Sequence, residues 1–224
     1  SIDGFIMALS AETQDKNDYN HLRQVNDQGI PLVLFDRVTE EVECDRVVIN
    51  DEEAAMEAVD FLLRSGKERI ALFTTESYLN VSEKRERGYR RALQQNGIPY
   101  DETLVLRLPF QFEEEDLSRA FFETKQFDAV LSVNEVFAIR AMRLAGKMGL
   151  RIPEDISFIG FTDGILSRYS MPTLTSVAQH GEEMGEVAAR MLIEKVENEY
   201  DETDPGSYRT EVIRAGLVQR ESTG

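Results

Sequence analysis

The sequence predicts an α/β protein built on parallel sheet. Two patterns carry that expectation. Short runs rich in β-branched and aromatic residues alternate along the chain with amphipathic helical stretches. Runs such as "ISFIGF" (156–161) are also apolar almost without interruption, as strands covered on both faces of a parallel sheet are.

The elements follow in order. "GFIMAL" (4–9) is the first expected strand, with a helix at about 18–28 behind it. "PLVLFD" (31–36) and "RVVI" (46–49) are the next two strands. A helix over 51–64 places Ala54, Ala55, Ala58, Val59, Leu62 and Leu63 on one stripe and stops at Gly66. "RIALFT" (69–74) leads into a helix over 83–96, stopped by Asn96–Gly97 with Pro99 beyond. "TLVLRL" (103–108), a helix over 113–125, "DAVLSV" (128–133), a helix over 135–148 and "ISFIGF" then complete three strand–helix repeats, enough for a doubly wound lobe. A helix over 182–198 carries Met184, Val187, Ala188, Met191 and Leu192 on its apolar face. "DETDPGS" (201–207) reads as a turn-rich loop, and "EVIRAGLV" (211–218) as a closing alternating strand. The region before residue 50 supplies two or three strands and one helix, too little to cover a second sheet. Together with an opening that runs from Ser1 straight into "IDGFIMAL", this points to a chain that starts inside a fold.

Composition narrows the function. The 224 residues include 42 acidic and 25 basic side chains, a formal net charge of −17. Such a surface repels phosphate backbones, so contact with DNA would need a part of the protein beyond these residues. No stretch approaches the ~20 apolar residues of a membrane span, and no membrane partner is expected. The single cysteine, Cys44, forms no internal disulfide and suits a reducing compartment; nothing near it would lower its pKa, so a packing role is expected.

Enzyme signatures are thin. The sequence holds no G-x-S-x-G elbow, no P-loop and no G-x-G-x-x-G. His21 and His180 stand alone, without metal-pair spacing. The acidic run Glu113–Asp116 fits a solvated helix start that complements the helix dipole. No catalytic residue, metal site or cofactor is expected.

Polar residues recur just after the predicted strands: Asp36, then Thr74, Thr75 and Glu76, then Asn134 and Glu135, then Thr162 and Asp163. Arg85 falls in the first turn of the helix after "RIALFT". Ligands of open α/β sheets bind beyond the carboxyl ends of the strands. Any one of these side chains could equally cap a helix, but recurrence at four strand ends favours a shared crevice. Carboxylates, an amide and a guanidinium together suit a neutral polyhydroxylated ligand. Arg85 and Asn134 are expected to be replaceable without loss of the fold.

Six segments in order carry a family resemblance: "IPLVLFDR" (30–37), "VVINDEEAAMEAVDFLLRSGKERIAL" (47–72), "RERGYRRALQQNGI" (85–98), "DAVLSVNEVFAIRAMRLAGKMGLRIPEDISFIGFTDG" (128–164), "MPTLTSVAQHGEEMGEVAARML" (171–192) and "LVQRES" (217–222). The chain resembles the effector-binding core of the lactose/galactose-repressor (LacI/GalR) family of bacterial transcription regulators. The family's amino-terminal helix-turn-helix, its hinge helix and about half of its first lobe have no counterpart here. The resemblance implies two doubly wound parallel-sheet lobes, periplasmic-binding-protein-like, with the first incomplete. The first lobe is expected to comprise residues 1–49 and 179–209, and the second 50–178 and 210–224. It further implies a cytoplasmic homodimer that binds a sugar-like effector in an interlobe cleft and touches its DNA operator only through the missing amino-terminal domain. Ligand-contacting positions map onto Asp36, Arg85, Asn134, Thr162 and Asp163, with Gln179 at a crossover and Phe112 where the family stacks an aromatic ring; Thr75 joins them from the crevice. The helix 136–149 and the segment 166–171 are the expected dimer surface, although Ile139, Met142 and Leu144 could equally be core. One departure stands out. The family pattern has two acidic or amide residues after "GF", whereas here the first is Thr162, and Val81 stands where small polar residues are frequent. A charged or phosphorylated effector, a disaccharide, or no small effector therefore stays open beside a simple sugar. A stand-alone periplasmic-type sugar-binding protein is the alternative, and an enzyme of the doubly wound class the third reading.

Overall fold

The structure, a computed structural model, describes residues 2–75, 79–109, 115–124, 126–197 and 208–224. In chain order it contains β1 (Phe5–Met7), α1 (Ala11–Lys16), α2 (Asn20–Asp27), β2 (Leu32–Phe35), β3 (Asp45–Ile49), α3 (Asp51–Arg64), β4 (Ile70–Thr75) and α4 (Asn80–Gln95). These are followed by β5 (Val105–Leu108), α5 (Glu115–Thr124), β6 (Ala129–Ser132), α6 (Glu135–Lys147), β7 (Ser157–Thr162) and α7 (Ile165–Tyr169). The last elements are β8 (Thr175–Ala178), α8 (Gly181–Glu197), β9 (Thr210–Ile213) and β10 (Gly216–Val218). They fall into two compact units. The first takes Ser1–Asn50, Tyr78–Val81 and His180–Arg214, and the second Asp51–Ser77, Ser82–Gln179 and Ala215–Gly224.

The first unit holds a four-stranded parallel sheet in the order β1-β2-β3-β9. One face is covered by α8, whose buried stripe is Met184, Val187, Ala188 and Met191. Another cluster gathers Leu9, Tyr19, Leu22, Leu32, Leu34 and Cys44 around the rest of the sheet. Cys44 is 1% exposed, and burial pushes its thiol up to about 11, which suits packing rather than nucleophilic chemistry. The helix α1 was not apparent in the sequence: at six residues it has too few turns to show a period, and it is set by the Ser10 side chain, which accepts a hydrogen bond from the Thr13 N–H at 3.0 Å.

The second unit holds a six-stranded sheet in the order β10-β8-β7-β6-β4-β5, parallel except for β10. Its core packs Phe73 edge-on to Phe121 and Phe122 at ring separations of 5.5 and 6.0 Å. Gly88 shows why "RERGY" needs a glycine: a Cβ there would collide with the Glu52 carbonyl and lie 2.8 Å from the Ala55 Cβ, so α3 and α4 touch through backbone. The carboxyl-terminal residues are stitched to the sheet. Phe158 N–H donates to Ser222 O at 3.0 Å, and Thr175 N–H to Ser222 Oγ at 2.8 Å.

The segment 211–218, expected as one strand of the second lobe, is two strands in two sheets. Residues 210–213 pair in parallel with β3 and belong to the first unit, while Gly216–Val218 pairs antiparallel with β8. The alternation runs through Arg214 and Ala215 unbroken, so period alone conceals the change of sheet.

Candidate functional site

Strand order locates the candidate site of the second unit. From β4 the chain goes outward to β5 on one side, then returns to β6, β7 and β8 on the other. The reversal lies between β4 and β6, and a ligand crevice is expected beyond their carboxyl ends. Thr75, Arg85, Asn134, Thr162, Asp163 and Gln179 all gather at this end of the sheet.

Arg85 is at its centre and is only 3% exposed. Its Nε donates to Asp51 Oδ1 at 2.7 Å, and a terminal nitrogen donates to Val133 O at 2.6 Å. The guanidinium also lies over the Phe161 ring, 4.0 Å from its centroid. This arginine is therefore part of the fold, tying the start of α3 to the ends of β6 and β7. Against the expectation that it could be removed without structural loss, its burial and pairing predict that removal costs stability. Asp51, equally buried at 3% exposed, was missed because a carboxylate opening a helix passes for a dipole partner.

Asn134 fills the capping role that the sequence left open. Its Oδ1 accepts from Phe137 N–H at 2.8 Å and caps α6, while its Nδ2 has no partner among the described residues. Thr162 is half-buried at the end of β7, its hydroxyl likewise without a partner among the described residues. Gln179 N–H reaches Thr162 O at 3.5 Å, which holds the ends of β7 and β8 level. Thr75 donates its hydroxyl to Ser82 Oγ at 2.6 Å and is buried.

Asp163 is a structural anchor. Its Oδ1 accepts from Arg220 at 2.6 Å and from Ser176 Oγ at 2.7 Å, and Arg168 reaches Oδ2 at 3.5 Å. Burial raises its pKa, but the Arg220 and Ser176 hydrogen bonds and the two guanidinium charges outweigh it, so the carboxyl sits below its ordinary value. These bonds hold the residue at φ 64°, left-handed and uncommon for a non-glycine. Arg220 lies in the "LVQRES" segment, where spacing gave no hint of its target.

Asp36 belongs to the first unit. It follows β2 at φ 58°, its N–H donates to Val47 O at 3.0 Å, and its side chain is 33% exposed with Oδ2 3.8 Å from Arg37 Nε. Val81 is buried. His21 and His180 are exposed. Phe112 lies outside the described residues, as do Glu76 and the first half of the acidic run 113–116. Among the described residues, no cluster of histidine, cysteine or carboxylate side chains could hold a metal ion, and no helix is long and apolar enough to cross a membrane.

Known proteins share this fold. Residues 59–223 match the periplasmic binding protein-like domain family. The transcriptional regulator DegA of Bacillus subtilis is 30% identical over 185 residues, which are 82% of this chain and 54% of that protein. A LacI-family regulator from Enterococcus faecium, solved with bound ribose, superposes with a TM-score of 0.84 at 27% identity, over 99% of this chain and 80% of that one. The regulator CelR in complex with cellobiose gives 0.80 at 28% identity, over 98% and 65%. This chain spans 54–66% of the length of the first curated relatives it matches. With the fold, the family match and these relatives in agreement, the chain belongs to the periplasmic binding protein-like domain family, in the form carried by LacI-family transcription regulators.

Proposed function

We propose that this chain is the effector-sensing and self-associating part of a cytoplasmic DNA-binding regulator, and that its effector is a neutral polyhydroxylated molecule. The carrying observation is the charge balance at the carboxyl end of the second sheet. Arg85 faces Asp51, and Asp163 faces Arg220 and Arg168, so the charged groups there are paired within the protein. What remains to meet a ligand is neutral: the Asn134 amide donors and the Thr162 hydroxyl, which both donates and accepts. Sugar hydroxyls match that set, whereas a phosphate would find no uncommitted cation among these residues. The ribose and cellobiose complexes of similar regulators support the same class. Asp36 remains a candidate contact in the first unit as a partly exposed strand-end carboxylate. DNA contact is assigned to another part of the protein, because the surface here is acidic. The regulator relatives favour this reading over a stand-alone sugar-binding protein.

Self-association is assigned to α7 and the start of α6. Val136, Ile165, Leu166, Tyr169 and Met171 are 41, 70, 43, 81 and 97% exposed, a concentration of large apolar side chains that suits a protein contact. Met142 and Leu144 of α6 are core and Ile139 packs against it, so among the large apolar side chains of α6 it is Val136 that joins this surface.

Thermal shift against ribose, cellobiose and ribose 5-phosphate tests the effector reading. At a hundredfold excess over Kd a bound ligand adds about 2.7 kcal/mol, or roughly 5–10 °C for a chain of this size. Asn134→Asp keeps the helix cap but deletes the amide donors, and Thr162→Val removes the hydroxyl at constant shape. Both should diminish the shift. Stabilisation by the phosphate alone, or a shift unchanged in both variants, overturns the assignment.

A further inference from the structure

We propose that Glu135 and Asp163 are positioning residues that couple the effector contacts Asn134 and Thr162 to the apolar surface of α7. The inference rests on the reading above, which places an effector on the first pair and a second copy of the chain on α7.

Its basis is a repeated adjacency. Asn134 and Glu135 are consecutive at the start of α6, and Thr162 and Asp163 are consecutive at the end of β7. In each pair the first residue holds a polar group without a partner among the described residues, and the second grips α7 or its root. Glu135 Oε2 accepts from Ser167 Oγ at 2.8 Å and from Ser167 N–H at 3.2 Å, in the middle of α7. Ser167 is fully buried. Gly164, immediately before α7, lies so close that a Cβ there would collide with the Glu135 carboxylate. Any sideways movement of α7 therefore carries Glu135 with it. On the other side Asp163 immediately precedes Gly164; Arg220 and Ser176 hold it to the sheet, and Arg168 of α7 reaches it from in front.

A carboxylate gripping two donors is a charge-assisted contact with a fixed geometry. A displacement of α7 by a partner is thus passed one peptide bond along to Asn134, and through the root of α7 to Thr162. Linkage makes the traffic reciprocal: whatever dimerisation does to the effector groups, effector binding does to dimerisation.

The test needs no effector. Nuclear magnetic resonance follows the Asn134 side-chain amide and the Thr162 methyl while rising concentration of the 224-residue chain drives it from monomer to dimer, with sedimentation reporting the dimer fraction. Both resonances should move with that fraction. Glu135→Ala should abolish the Asn134 displacement and leave that of Thr162, and Glu135→Gln, which keeps an acceptor for Ser167, should restore it. Where Glu135→Ala does not fold, Ser167→Ala removes the hydroxyl bond while keeping the backbone one, and should diminish the Asn134 displacement rather than abolish it. An Asn134 response that survives loss of the Glu135–Ser167 contact overturns the coupling, as do parent resonances that ignore dimerisation; either result leaves the effector reading standing. A parent that stays monomeric at every concentration overturns the self-association reading, and the coupling falls with it.

Discussion

Arg85→Ala is expected to destabilise the second unit severely, beyond any loss of ligand. The Arg85 and Asp51 side chains are only 4% and 2% exposed, so their charges meet almost without water. Truncating the arginine deletes the 2.7 Å bond to Asp51, the 2.6 Å bond to Val133 O and the cation over Phe161. It also strips a buried carboxylate of its Arg85 countercharge. Breaking a buried pair from one side costs about 3–5 kcal/mol, against total stabilities of about 5–15 kcal/mol for native proteins. At about 2–4 °C per kcal/mol for a chain of this size, Tm should fall by roughly 6–20 °C. Thermal and urea unfolding followed by circular dichroism measure this directly. The double variant Asp51→Leu, Arg85→Met removes both charges while keeping apolar volume; it still takes the Arg85 donor from Val133 O, at about 1–3 kcal/mol, and should cost clearly less than the single variant. The reasoning is refuted if Arg85→Ala stays within about 1 kcal/mol of the parent, or if the double variant is as damaged as the single one.

Two further outcomes follow from the same geometry. Gly88→Ala forces a methyl into the Glu52 backbone and should cost about 1–3 kcal/mol by overpacking; urea midpoints unchanged from the parent would show that α3 and α4 can part at no cost. Asp163 has a depressed folded pKa, so its stabilising contribution is present above the ordinary carboxylate range near ~3.9 and is lost as pH falls through the folded value. The stability gap between the parent and Asp163→Asn should therefore shrink on acidification from pH 7 to below about 4. A gap that stays constant over that range counts against the Arg220 partnership.

The legibility of this protein in its sequence varied with distance along the chain. Strands β2 to β7 and helices α3, α4, α6 and α8 were visible because each is long enough, or apolar enough, to show its own period or run. The helices α1 and α7 were not visible, since six and five residues hold too few turns for a stripe to register. The strand-end residues of the candidate site were legible for the same local reason: each sits where an apolar run stops. Their partners were not. Asp51 lies 34 residues from Arg85, and Arg220 lies 57 residues beyond Asp163. No spacing rule reaches across such gaps.

By itself, then, the sequence determined the alternation of strand and helix, the strongly acidic charge balance, and which side chains stand at the ends of strands. Only the tertiary structure decided what those side chains do. A charged group at a strand end has one meaning when it faces solvent and another when a countercharge waits 2.7 Å away in a site closed to water. Folding paired Arg85 and Asp163 internally and left Asn134 and Thr162 with polar atoms to share. Which side chains keep uncommitted polar atoms is a difference between neighbours brought together from distant parts of the chain, and local sequence does not record it.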